Sequence, residues 1–435
     1  MVTYEQALAI ADAWLNGSAP PGQRREVRTH EFDLGWVVWA VPAAVTHDPL
    51  PGSSPPDDVG SPYGVVDRHT GELSTWPSTS LEEVVRMYRD KHSGTHFPHP
   101  YDPSLPPIVG PGNTVVFTYR DAGGDEMSLS RSSGPGLPPP EIQVWTELRW
   151  MGVRPEDVIA IHSDLYPADL PGGYRGQFLR TTFADADLSC SHDYGPTRVV
   201  RAQGMAALLD HAEAAHRLSG TPPLPRPNRI PFPAAHHDGS PLADDVLDQL
   251  LADTRLPVQR YDADAVAESG LPEATHDALT RFGLPSLIPH FFVADPPHQP
   301  PAGGLFCDAA THLHARGTPA SDPTLAATLG EYVRIGSDGG SVVAVRRAEP
   351  DAGTVWAIDM RSGATRYINR SVADFSHCLV VLAYTLPKMR GQDPYAAGQT
   401  VAKFQETLAG IDGSVFADPE HWWAVIVEQM WDGLL

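Results

Sequence analysis

Two proline-rich stretches constrain the folding of this chain more than anything else in it. HFPHPYDPSLPPIVGPG, at 96–112, and SGTPPLPRPNRIPFPAAHHDGSP, at 219–241, hold too much proline for a helix or a central strand and too little apolar side chain for a core. They predict extended connectors. A chain of 435 residues also exceeds what one hydrophobic core usually supports. The sequence therefore predicts modules at 1–95, 108–220 and 240–435, with Pro-rich linkers at 96–107 and 221–239. The expected fold class is α+β multi-domain.

In the first module, Thr3 and Gln6 form a capping box, and Ala7, Ile10, Ala11, Trp14 and Leu15 recur at helical spacing until Asn16-Gly17. GWVVWAV at 35–41 is rich in aromatic and β-branched residues, as a strand requires. Val65-Val66 and Leu73 predict a hairpin joined through Asp67 to Gly71. Ser80 and Glu83 predict a helix cap, followed by the inner face Leu81, Val84, Val85 and Tyr88. YEQALAIADAW, FDLGWVVW and VVDRHTGEL resemble the YrhB-type immunity proteins of bacterial toxin systems. That resemblance implies binding and supplies no catalytic residue.

The middle module reads as a small α/β layer. Val115 to Tyr119, a turn at Asp121–Gly124 and the run to Leu129 predict a hairpin, and a helix carrying Glu147 ends at Gly152 and Pro155. Val158–Ile161 then predicts a buried strand, and Pro171-Gly172-Gly173 precedes a helix through Phe178 and Leu179. TEL at 146–148, SDLYP at 163–167 and LPGGY at 170–174 resemble the toxin-associated branch of the zinc-dependent deaminases. The resemblance implies a zinc held by a His two residues before the Glu and by two Cys on the second helix, with the Glu moving protons.

Carried over by that resemblance, the proton-moving residue is Glu147, the His falls on Trp145, and the two Cys fall on Ala168 and Arg175. None of the three ligand positions can bind zinc. The expectation is a vestigial Glu147, no catalytic residue, no metal and no cofactor. Two alternatives remain. One is an active deaminase that recruits His162, Cys190 or His192 as substitute ligands. The other is a pseudoenzyme that senses a nucleotide, with Trp145 stacking on the base and Glu147 bonding to it.

In the last module, Tyr332–Ile335, Ser341–Val345, Val355–Asp359 and Arg366–Ile368 predict an antiparallel meander separated by Gly/Asp turns. A helix from Ser371 buries Val372, Phe375, Leu379 and Leu382. FGLP, IGSDGG, VWAID and INRSVADF resemble the SUKH superfamily, close to its fourth group, whose members are immunity proteins that bind toxins. An α+β domain of meander plus helices follows from that resemblance. Asn369 and Ser371 are expected to shape and cap the helix entry. Asp338, in the Asp338-Gly339-Gly340 turn, and Arg370 are expected at accessible ends, as candidates for partner contact.

A formal net charge of −23 disfavours unaided binding to a phosphate backbone and suits a basic protein partner. Cys190, Cys307 and Cys378 are too few and scattered for a disulfide framework or a metal knuckle. The first residues, MVTYEQALAIADAW, lack the basic and apolar regions of a signal peptide, and no stretch approaches ~20 apolar residues. The expectation is a cytoplasmic protein whose partner is a protein toxin, with no direct nucleic acid and no membrane.

Overall fold

The computed structural model describes residues 2–17, 24–32, 34–41, 63–68, 71, 73–76, 81–92, 101–234, 240, 242–317 and 323–435. The chain divides into two compact units, residues 1–98 with 209–224 and residues 99–208 with 225–435. The proline-rich stretches predict three modules; the structure groups the second, up to residue 208, with the third.

The smaller unit opens with α1 (Tyr4–Asn16), where Thr3 Oγ1 accepts from the Gln6 amide and the Gln6 side chain accepts from the Thr3 amide. Strands β1 (Glu26–Phe32), β2 (Gly35–Val41), β3 (Tyr63–Asp67) and β4 (Leu73–Trp76) form an antiparallel sheet in that order. Period-two alternation loads both faces. Trp36, Val38 and Val66 pack with Ala7 and Ala11 of α1, while Phe32, Val37 and Val65 pack with Val84, Val85 and Tyr88 of α2 (Leu81–His92). Gly64 is required beneath α1, because a Cβ there would lie 2.8 Å from the Trp14 ring. The expected Ser80 cap lies outside the described residues.

In the larger unit, β5 (Thr114–Arg120), β6 (Glu126–Ser132), α3 (Pro140–Trp150), β7 (Val158–Leu165), α4 (Arg175–Thr182), β8 (Asp187–His192) and α5 (Arg198–Ser219) follow in order. The sheet order is β6-β5-β7-β8, with only the β7–β8 pair parallel. A parallel pair needs a crossover, and α4 supplies it. Val115, Phe117 and Ile161 on one sheet face bury Val144 and Leu148 of α3 and Leu179 of α4. Residues 198–208 of α5 belong to this unit.

The chain continues through α6 (Asp244–Thr254), β9 (Val258–Gln259), α7 (Ala263–Glu268) and β10 (Leu284–Pro285). A six-stranded antiparallel meander follows, β11 (Leu287–Ile288), β12 (Phe292–Ala294), β13 (Tyr332–Ser337), β14 (Val342–Arg346), β15 (Val355–Ile358) and β16 (Thr365–Asn369). Helices α8 (Ala309–Ala315) and α9 (Pro323–Leu329) interrupt it, and α10 (Val372–Met389), α11 (Pro394–Ile411) and α12 (Trp422–Trp431) close it. Alternation predicts an inner and an outer face for this sheet, but the structure buries both. Val343, Val355 and Ala357 face the core shared with α10 to α12, while Ile358 lies under Ala309 and Leu313 of α8 and Leu329 of α9. Among the described residues no helix is long and apolar enough to cross a membrane.

The described parts of the two proline-rich stretches are not free connectors. Ile108 bridges to Asn228, and the Asn228 side-chain amide donates to the carbonyls of Asp102, Leu105 and Pro106. The Gly110 amide donates to the Trp431 carbonyl at 2.7 Å, the Gly112 amide donates to the Asp432 carbonyl at 3.0 Å, and Val109 joins the core of the meander domain. Proline removes backbone donors but leaves every carbonyl, and one asparagine satisfies three of those here. Residues 96–100, 235–239 and 241 lie outside the described residues.

Candidate functional site

The positions implied for zinc chemistry lie around α3, α4 and the loop between β7 and α4. Glu147 sits in the last turns of α3, about two-fifths exposed, in an ion pair with Arg131 of β6. Trp145 packs edge-on against Phe183, with ring centroids 5.0 Å apart, and joins Phe178 at the margin of the layer's core. Ala168 is buried, and Arg175 is the first residue of α4 at 2% exposure. Aromatic packing thus stands where the resemblance places the His ligand.

The acid that meets Arg175 is one the sequence reading missed. Glu141, in the first turn of α3, is fully buried; burial raises its carboxyl above the usual range, and the positive field of Arg175 opposes that rise. Apart from the amide of Glu141 itself, no described residue hydrogen-bonds to the Glu141 carboxylate, and none does to Nη1 or Nη2 of Arg175. The signal was present in the helical spacing: Glu141, Val144 and Leu148 fall at i, i+3 and i+7 on one apolar stripe. Glu141, and not Glu147, is thus the α3 carboxylate that lies within the field of Arg175.

The substitute ligands do not converge. In the parallel register His162 lies beside Ser189, and its two ring nitrogens lie 3.0 and 3.1 Å from the hydroxyls of Ser189 and Ser191 on the exposed face. Cys190 and His192 pair with Ser163 and Leu165, so alternation sends them to the opposite face. Among the described residues no group of three or more His, Cys, Asp or Glu side chains is placed to hold a metal ion.

The LPGGY stretch is instead a docking loop within the larger unit. Gly172 and Gly173 have φ of 97° and 138°, and Tyr174 is itself left-handed at 46°. The Pro171 carbonyl accepts from Gln429 Nε2 at 2.7 Å, and Leu435 packs so closely on Gly172 that a Cβ there would meet it at 2.8 Å. The Tyr174 ring lies over Gly340, where a Cβ would come within 2.2 Å of it. The Tyr174 hydroxyl donates to Asp338 at 2.7 Å, and Trp422 Nε1 donates to the same carboxylate oxygen at 2.9 Å.

Asp338 is therefore not at an accessible end. It is 2% exposed, it also accepts from the Gly340 and Ser341 amides, and burial lifts its carboxyl despite those four bonds. Sequence periodicity could not show that another segment would cover this turn. Arg370 retains 32% side-chain exposure, but its Nε donates to Asp374 and Nη2 donates to the Ile411 carbonyl. Ser371 is the N-cap of α10, accepting from the Asp374 amide at 3.1 Å. Asn369 is fully buried, donating to Asp412 and accepting from Trp423 Nε1.

A second seam joins the four-stranded layer to α12. Arg201 donates through Nε and Nη2 to Glu428 at 3.0 and 2.7 Å, through Nη1 to the Pro196 carbonyl, and pairs with Glu420. Tyr194 donates to Asp432 at 2.8 Å. Burial and the adjacent Glu428 raise the Asp432 carboxyl to about 7.

Comparison with family models agrees with this architecture. An Immunity protein 35-like domain model matches residues 5–95, a Xanthomonas-like deaminase model residues 110–211, and a SUKH-4 immunity protein model residues 242–429. The chain thus carries an Imm35-like immunity domain at its N-terminus, a deaminase-like domain in the middle and a SUKH-4 immunity domain at its C-terminus. No curated protein and no solved structure matches the chain.

Proposed function

We propose that this chain is a non-catalytic immunity protein that binds and neutralises a protein toxin in the cytoplasm. It works without zinc or another cofactor and without direct contact to nucleic acid or membrane. The observation that carries this reading is the pairing of two immunity-type domains with a deaminase-like layer whose ligand positions hold Trp145, Ala168 and a buried Arg175. A catalytic zinc needs about three Cys, His or carboxylate ligands around one open position, and a glutamate has no activated water to deprotonate without it. The net charge of −23 favours a basic protein surface over a phosphate backbone.

Within this reading the deaminase-like layer is scaffold. It covers one side of the SUKH-4 domain through the Tyr174 loop and the Arg201 seam, so a toxin is engaged elsewhere on the two immunity domains. Arg370, one third exposed, can still offer one charged contact there, whereas Asp338 cannot.

The test is co-expression with the product of the neighbouring gene, scored for toxicity alone, for growth rescue and by a pull-down of the full chain. Metal analysis and an ammonia-release assay on cytidine, adenosine and their nucleic-acid forms accompany it. Rescue without stoichiometric zinc and without ammonia supports the reading. Ammonia release lost in Glu141→Gln or Glu147→Gln would establish an enzyme instead, and one zinc per chain would overturn the zinc-free reading.

A further inference from the structure

A cavity of about 270 Å³ in the larger unit belongs to neither the zinc positions nor the Tyr174 socket. It is enclosed by the segment preceding α3, by Gly172, by the turn between β11 and β12, and by one flank of α10. We propose that this cavity binds a small, mainly apolar carboxylic acid, with its body against Leu137, Ile288, Phe291 and Leu386 and its carboxylate at Arg390.

The walls are fixed by backbone that tolerates little change. Gly136 has φ of 69°, and a Cβ there would lie 2.1 Å from the Leu386 carbonyl, so the segment before α3 can lie against α10 only with glycine at that position. His290, a non-glycine residue, is held at φ of 70°, a conformation uncommon enough to ask what it serves. Here it turns the chain between β11 and β12 so that Ile288 and Phe291 both line the cavity. Pro387 lies inside α10 and has no N–H for the carbonyl four residues earlier, that of Ala383, and both residues are in the wall.

Charge and size then select the ligand class. Among the described residues Arg390 is the one charged side chain in the lining, and its Nε donates to the Gly136 carbonyl, which steadies the guanidinium at the rim. Burial lowers the proton affinity of the His290 ring, so it stands as a neutral imidazole near neutral pH. One fixed cation over an apolar floor complements one carboxylate on an apolar body. The volume equals that of roughly nine liquid waters, so the ligand has on the order of ten non-hydrogen atoms.

The experiment is isothermal titration of the full chain with 3-phenylpropanoate and with the neutral 3-phenylpropanamide. The acid is expected to bind at least about tenfold more tightly than the amide, because only it forms the charge-assisted contact. Arg390→Gln should bring the two probes to equal affinity. Leu137→Trp, which adds bulk from a wall residue already 40% exposed, should abolish both. Both sites reach the surface, and an unchanged melting temperature verifies each fold. Neither probe binding at millimolar concentration, equal binding of acid and amide to the parent, or an acid preference that survives Arg390→Gln would each overturn the proposal.

Discussion

Arg201 on α5 and Arg175 at the start of α4 are both buried in the larger unit, yet their surroundings are opposite. Arg201 is fully buried and uses its whole fork on Glu428, Glu420 and the Pro196 carbonyl. Arg175, equally far from water, has neither Nη nitrogen matched within the described residues, and Glu141 beside it has no matched partner there beyond its own amide. A buried charge is tolerable when its hydrogen-bonding geometry is complete and costly when it is not. The first pair is a seam that fixes the four-stranded layer to the SUKH-4 domain. The second stands where the resemblance puts metal ligands, in a layer the proposed reading frees from catalysis. The two sites should therefore respond in opposite directions to removal of their charges.

The largest effect is expected from Arg201→Ala. It leaves Glu428, 2% exposed, with the longer contact to Arg229 at 3.6 Å in place of two short donors, and should cost about 3–5 kcal/mol of unfolding free energy in urea titration. A loss below about 1 kcal/mol would show that the seam does not depend on the pair. The double replacement Glu141→Leu with Arg175→Met should do the reverse, leaving stability unchanged or raising it by about 1–4 kcal/mol, as when buried ionic groups give way to apolar ones of similar volume. Strong destabilisation by the double replacement would mean that the pair is satisfied in solution, and the contrast between the two arginines would dissolve.

The seam also carries a pH signature. The Asp432 carboxyl titrates near 7 when folded and near its ordinary 3.8 when unfolded, so the folded state holds the proton more tightly. Its contribution favours folding most below about pH 4, falls as pH rises from about 4 to 7, and is flat beyond. Asp432→Asn keeps an acceptor for Tyr194 and removes this titration. Its advantage over the parent should grow across that interval to about 1–2 kcal/mol at pH 8, discounted for coupling to Glu428. Parallel pH profiles for parent and variant would remove Asp432 as their source. The smallest effect is expected at the exposed Arg131–Glu147 pair, where Glu147→Gln should change stability by less than about 0.5 kcal/mol and leave toxin neutralisation intact.

Local rules made much of this fold legible. The Thr3–Gln6 capping box, the LPGGY turn glycines and the β13 to β16 meander follow from residue types and spacing alone, because each depends on neighbours within a few positions. The site was less legible. The resemblance points to Glu147, whereas the helix's own periodicity carries a second carboxylate, Glu141, on the buried stripe. Asp338 reads as an exposed turn residue, since Asp-Gly-Gly favours a surface turn, and nothing local signals that Tyr174, 164 residues away, will donate to it.

By itself the sequence determined the identities of the domains, the acidic charge, and the absence of a His or Cys at positions 145, 168 and 175. Those properties are written in composition and in short-range pattern. Only the tertiary structure decided that the proline-rich segments are held down by Asn228 and α12, that the middle and last domains form one unit, and that both faces of the meander are covered. The physical reason is that backbone donors and acceptors and apolar faces specify only that they must be matched. Which distant partner matches them is settled when the whole chain packs.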